Sequence, residues 1–444
     1  MIPALAALAV LVAVSWAFGR GVVRRGGGEP LGAKPLGGEL ELVIGWISGL
    51  VMLYLLLLGF DLLGLSWRLP SLAPALVALA ILGWLGGRRR DAAPRGAASW
   101  QPLGWGDAAA AAAFVVFVAA TALLWNLHPD FIYHWGIKGW KFYLARGLDF
   151  AWLASPEAAH AHPDYPNLVP SLFALTAILG GSYRELPMAL WSALFFALTV
   201  LAARALLARL GASPFARQAG VALVGLTLAM FGVGYLQAGG GDTSIALALV
   251  AGAALLAGEP DDRTDVHLGW VAAFAAAAKI EGVALAAWLI GVHLLRRWLA
   301  RGGGFVRQLP AALVRTLLPS AAAVGVWAWQ VKAYGLFQPA NVGAFDLGRV
   351  GVVFPELFRS LLTVNWHGLP FCLFALPLLL TVRRSRPIAA VCCLQLAFYV
   401  AVYLSAAVDP LEWVATSAAR LYFHLVPAVL VLVITAADRM VQRL

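Results

Sequence analysis

An all-α polytopic membrane protein is the fold class this sequence predicts, and three observations predict it. Of its 444 residues, 62% are hydrophobic and only 12% are charged, with a mean hydropathy of +0.83. Soluble chains average about 45–50% apolar and about 25% charged. Apolar runs of about 20 residues, each able to cross about 30 Å of hydrocarbon, recur along the chain. The strand alternation of an outer-membrane barrel is absent, so the backbone must satisfy itself as helices. A soluble domain, a disordered chain and a disulfide scaffold are excluded. Cys372, Cys392 and Cys393 all lie in apolar runs without metal spacing and read as small buried hydrophobes.

The runs taken as spans are 2–18, 39–63, 69–86, 107–126, 186–206, 216–236, 243–258, 266–278, 282–299, 309–334, 366–382, 388–407 and 420–437, thirteen in all. The first has no positive charge before it, and Arg20, Arg24 and Arg25 follow it. A secretory signal has the opposite polarity, so this run reads as an uncleaved helix with its N-terminus outside. The run at 168–180 is not counted as a span, because counting it would put Arg204, Arg209 and Arg217 outside. Without it, the basic clusters at 20–34, 88–95, 204–217, 263, 296–307, 383–386 and 439–443 all fall on one side. Positive-inside orientation makes that side cytoplasmic and places the C-terminus there. It also accounts for the net charge of +10 better than nucleic acid would, and no nucleic-acid partner is expected. The Ala/Gly/Arg bias suggests a GC-rich bacterial genome, hence a bacterial cytoplasmic (inner) membrane.

Residues 1–106 read as an N-terminal three-helix region with cytoplasmic linkers at 26–38 and 87–106. Residues 107–444 form the core, with a large outer segment at 127–185. No internal repeat is visible, which weighs against a transporter.

The outer segment carries the densest polar signal. Pro129 makes Asp130 a helix start, and on a helix from there Asp130, His134, Lys138 and Lys141 share one stripe. That line of carboxylate, imidazole and ammonium groups reads as a base with phosphate-holding cations, or as an interfacial helix with snorkelling lysines. Next comes His160-Ala161-His162-Pro163-Asp164-Tyr165-Pro166-Asn167, leading into the apolar run 168–180, a second interfacial helix. His160, His162 and Asp164 are compatible with a divalent metal, but a Pro-rich loop explains them as well. No metal ligand is assigned.

Three further places hold polar residues at the outer rim. Gly239-Gly240-Gly241-Asp242 either caps a helix or supplies a second carboxylate. Lys279 and Glu281 interrupt an Ala-rich stretch, where ionisable residues are costly, and they pair with each other or bind a ligand. Arg420 and His424, four residues apart at the outer end of the last span, read as a phosphate site or as an interfacial anchor.

In this order and on this topology the motifs resemble the membrane glycosyltransferases of the GT-C fold, in particular the lipid-carrier-dependent branch that includes protein O-mannosyltransferases and lipid A aminoarabinose transferases. Asp130 with His134, the run from His162 to Asn167, the Asp242 loop, Ala278-Lys279-Ile280-Glu281-Gly282, and Thr416 to Leu421 with His424 and Pro427 carry the resemblance across roughly 105–437. It implies a catalytic role for Asp130 and, less directly, Asp242, with Lys279 and Arg420 on the carrier phosphate. The other substrate-binding candidates are His134, Lys138, Asp164, Tyr165, Glu281 and His424. Where the family's first loop often has two adjacent carboxylates, Phe131 follows Asp130 here.

The expected function is inverting transfer of a sugar from a polyprenyl-phosphate donor to a lipid, glycan or protein hydroxyl, on the outer face and among membrane lipids. No nucleotide site is expected, since the chain has no P-loop and no GxGxxG opening a soluble helix. The rival readings are a transporter or flippase of an amphiphile, for which Arg315 with Pro319 is the best feature, and an O-antigen ligase or polymerase.

Overall fold

The computed structural model describes residues 1–25, 36–88, 100–234, 241–336, 343–363 and 369–444. Most of both expected linkers, and Gly239 and Gly240, lie outside the described residues. Among the described residues the chain is helical, with no strand. The N-terminal region is α1 (Ile2–Arg25), α2 (Gly38–Leu62) and α3 (Leu69–Arg88). After α4 (Trp105–Leu124) come the short α5 (Gly136–Ala145), α6 (Phe150–Leu153), α7 (Leu168–Gly180) and α8 (Glu185–Ala189). The central bundle is α9 (Trp191–Leu210), α10 (Pro214–Gly234), α11 (Asp242–Leu256), α12 (Asp262–Ala278) and α13 (Ile280–Arg301). Then follow α14 (Gly303–Val306), α15 (Leu309–Ala333), α16 (Val350–Thr363), α17 (Leu376–Leu379), α18 (Arg386–Leu404) and α19 (Pro410–Val441).

Ten helices among the described residues are long and apolar enough to cross a bilayer, the architecture of a multi-pass membrane protein. Three of the thirteen expected spans fall on shorter elements. These are α11 with 15 residues, α12 with 17, and the stretch Leu369–Leu379. At 1.5 Å per residue the first two are about 22 and 25 Å long. Every residue of α11 is buried. A helix apolar on every face has nothing to present to water and sits inside the bundle.

The same reasoning revises the two helices expected to lie at an interface. The shorter one, α5, is half-buried, with Lys138, Gly139 and Phe142 inward and Trp140 and Leu144 outward. By contrast α7 is interior: Leu168 to Ile178 are all buried, and the helix packs on α5 and α1. Leaving it out as a crossing agrees with the fold. The start of α4 and the end of α9 meet at one end of the bundle, through Arg204 and Asp107. The segment between α4 and α9 therefore leaves from and returns to the other end.

Polar contacts sort the helix ends into two sets. At one end Arg204 of α9 pairs with Glu39 of α2 at 3.3 Å and with Asp107 of α4. There too Arg263 pairs with Glu41 at 3.2 Å, and Ser213 donates to Asp438 at 2.6 Å. The other end gathers Asp130, Asp242, Lys279 and Arg420. The basic clusters near 204–217 and 263 thus share an end with each other and not with Asp130. The N-terminal helices brace this second end. Asp61 at the end of α2 accepts the Leu148 N–H at 3.0 Å, and the Trp67 N–H donates to the Arg146 carbonyl at 2.6 Å.

Candidate functional site

The centre of the site is Asp242, the first residue of α11, with a wholly buried side chain. A buried carboxylate is costly unless donors surround it, and a helix N-terminus favours negative charge. Three side chains supply the donors. Lys279 Nζ donates to Oδ1 at 2.6 Å, His424 Nε2 lies 2.9 Å from the same oxygen, and Arg420 Nε donates to Oδ2 at 2.9 Å. The carboxylate can only accept, so His424 Nε2 carries its proton. Its Nδ1 lies 2.7 Å from the Tyr399 hydroxyl, which completes the Nε2–H tautomer by donating to it.

Each cation reaches a second carboxylate nearer the surface. Arg420 Nη2 lies 2.5 Å from Asp130 Oδ2, and Lys279 Nζ lies 3.1 Å from Glu281 Oε1. The Asp130 and Glu281 side chains are 16% and 15% exposed, against 0% for Asp242. Glu281 Oε2 is buried with no hydrogen-bond partner among the described residues.

Local backbone explains why Lys279 is here. It is the extended residue (φ −159°, ψ 156°) between α12 and α13. Gly282 passes the Ala275 carbonyl so closely that a Cβ there would come within 1.8 Å of its oxygen. Only glycine lets α13 start that near to α12, which turns Lys279 and Glu281 toward Asp242.

A wall of rings stands beside the ion cluster. His134 stacks on His162, and His162 on Tyr165, each with centroids 4.6 Å apart; Trp135 tilts against Tyr165 at 6.4 Å. Burial pushes His134 down to about 4 and His162 to about 3, so both rings are neutral at pH 7. His162 holds a left-handed backbone, φ 49°, that favours glycine. Its carbonyl accepts from Lys138 Nζ at 2.5 Å.

Lys138 is therefore part of the wall and not of the ion cluster. Burial drives its ammonium down to about 7. The expected stripe does not persist, because Phe131–Trp135 is a π-helical turn, whose extra residue rotates everything after it. Asp130 faces Arg420, Lys138 faces the 162–167 loop, and Lys141 lies over the Trp140 and Trp152 rings. Asp164 also stands apart from the ion pairs. Burial raises its carboxyl, and its backbone carbonyl accepts from Trp327 Nε1 at 3.3 Å.

Six predicted residues thus converge: Asp130, Asp242, Lys279, Glu281, Arg420 and His424. His134 and Tyr165 line the wall beside them. Sequence reasoning missed Tyr399, although Gln395, Tyr399 and Tyr403 form a polar i, i+4 stripe on an otherwise apolar helix. It also missed His128, whose buried Nδ1 accepts the Phe131 N–H at 3.1 Å and whose Nε2 has no partner among the described residues. No group of three metal-ligating side chains converges among the described residues, and His162 is engaged in ring stacking. No family model, curated protein or solved structure matches the chain.

Proposed function

We propose that this chain is an inverting glycosyltransferase of the GT-C kind. It moves a sugar from a polyprenyl-phosphate donor to a lipid, glycan or protein hydroxyl at the outer face of a bacterial cytoplasmic membrane. One observation carries the reading. Arg420 bridges a buried carboxylate, Asp242, and a partly exposed one, Asp130, with Lys279 alongside. In this reading the Asp130 end is the outer end, α11, α12 and Leu369–Leu379 are the three short crossings, and the C-terminus faces the cytoplasm.

The acceptor oxygen attacks the anomeric carbon of the donor. As that bond forms, the carbon–oxygen bond to the phosphate breaks and its electron pair passes to the phosphate oxygen. The acceptor proton goes to Asp130, general-base help worth about 10²–10⁴-fold. Arg420 and Lys279 face the charge that develops on the leaving phosphate, preorganised by Asp242. Asp242 acts as their counter-ion, since donors occupy both its oxygens. The neutral ring wall excludes water from the displacement.

An apolar groove of about 580 Å³ supports a lipid-borne donor. It lies between α16, α17 and α18, lined by Phe345, Phe354, Phe374, Cys393, Leu396 and Val400. Gln395, Tyr399 and Tyr403 occupy the other face of α18, toward the ion cluster. Isoprenoid units suit such a groove in size and chemistry. Arg315, the feature that would favour transport, lies 2.7 Å from Asp262 at the far end of α12.

Mass spectrometry of lipid extracts tests the reading. A deletion strain should accumulate a polyprenyl-phosphate sugar that wild type clears and Asp130→Asn does not, at equal membrane levels. Equal clearance by both removes Asp130 as the base.

A further inference from the structure

We infer that Asp130 and Glu281 are built-in competitors for the phosphate site, so that donor binding and release of the catalytic carboxylate are one event. The identity of the anion as a carrier phosphate rests on the transferase reading. The competition itself follows from the cluster.

Asp242 cannot leave its cations. It is wholly buried, and both its oxygens hold donors. The outer pairs differ. Asp130 meets Arg420 through one oxygen, and Glu281 meets Lys279 through one oxygen. Both carboxylates retain some exposure, and Glu281 Oε2 has no hydrogen-bond partner among the described residues, an orphan that a donor group on a ligand would satisfy.

Charge makes replacement the available route. Three carboxylates, Asp130, Asp242 and Glu281, face two permanent cations, Lys279 and Arg420. A further anion added to this set would meet like-charge repulsion at close range. An arriving phosphate therefore takes the place of Asp130 on Arg420 and of Glu281 on Lys279. Freed from its guanidinium, Asp130 can turn to the acceptor hydroxyl just when the donor is in place. Without a donor it is held in its ion pair with Arg420. In the transfer itself the acceptor proton neutralises Asp130. The leaving phosphate gains the matching negative charge and keeps both cations, so the net charge of the site does not change in the step.

Binding of farnesyl phosphate to the purified full-length chain in detergent, by calorimetry, tests this. Removing a competing charge should tighten binding, so Asp130→Asn is expected to bind about tenfold tighter than wild type, and Glu281→Gln tighter in the same direction. Asp130→Ser repeats the measurement if the asparagine lowers the folded yield. Unchanged or weaker binding in the Asp130 variants, with wild type binding, overturns the competition and leaves the carrier-phosphate site standing. No binding by wild type or any variant overturns the phosphate site, and the transferase reading with it.

Discussion

The α12–α13 hairpin carries a buried ion network at each end, and the two networks are built differently. At its base Asp265 accepts from Arg297 and lies 2.7 Å from His293 Nε2, all three side chains being fully buried. Arg297 and Arg315 each reach Asp262 at 2.7 Å. Every member of this base comes from α12, α13 or α15. At its tip Lys279 and Glu281 meet residues from three distant parts of the chain: Asp130, Asp242, and Arg420 with His424. The base stays within these neighbouring helices and reaches solvent through Asp262 and Arg315. The tip ends in partly exposed carboxylates, an orphaned Glu281 oxygen and a wall of neutral rings. Buried ion pairs alone are therefore no sign of chemistry, since both networks have them. Nor is an exposed rim, since the Asp262 side chain is 56% exposed; what separates the two is that the tip draws its groups from distant parts of the chain and sets them beside a wall of neutral rings. The base clamps the hairpin, and at 1.5 Å per residue over α12 it does so about 25 Å from the joint it steadies.

The sharpest way to break this contrast is to remove charge at the tip. Asp130→Asn should lower transfer about 10²–10⁴-fold with its melting temperature unchanged, read as donor clearance and thermal unfolding of the same preparation. If it unfolds instead, the tip is a clamp like the base. Arg420→Met should lose about 10²–10³-fold in turnover per folded molecule, as expected when a preorganised donor to a developing anion is removed. Retained turnover there would falsify the assignment of Arg420 to the leaving group.

The base should answer in the opposite sense. Asp265→Asn leaves Arg297 buried beside an uncharged partner and should cost about 3 kcal/mol of stability in detergent unfolding, while turnover per folded molecule is kept. A turnover loss without a stability loss would make the base part of the site.

The smallest effect concerns pH at the ring wall. Burial takes Lys138 down to about 7 from its ordinary 10.5. Between those values the unfolded chain binds more protons than the folded one, so stability rises with pH across that window. Below about 7 this contribution is gone. Lys138→Met, which keeps the stem and removes the charge, should flatten the rise in a series of melts from pH 7 to pH 10.

Much of the site could be read before any fold was known. Asp130, Asp242, Lys279, Glu281, Arg420 and His424 stand out because an ionisable side chain at the edge of an apolar run is costly wherever it occurs. The grouping of Arg204, Arg217 and Arg263 at one end of the bundle was legible for the same reason, since such residues mark helix ends whatever the helices pack against. Lys138 misled, since its place in the stripe assumed an unbroken α-helix and the π-helical turn at Phe131–Trp135 shifted it into the wall. Tyr399 was overlooked because a tyrosine within an apolar span is ordinary until a histidine faces it.

The cost of burying a charge belongs to the residue and its immediate neighbours, so the sequence alone determined an all-helical membrane bundle and which side chains needed partners. The partners belong to packing. Arg420 finds Asp242 across 178 positions and His424 finds it across 182. No local spacing encodes such a meeting. Only the tertiary structure decided that one buried aspartate would hold both cations, because that depends on where α11, the α12–α13 joint and α19 come together.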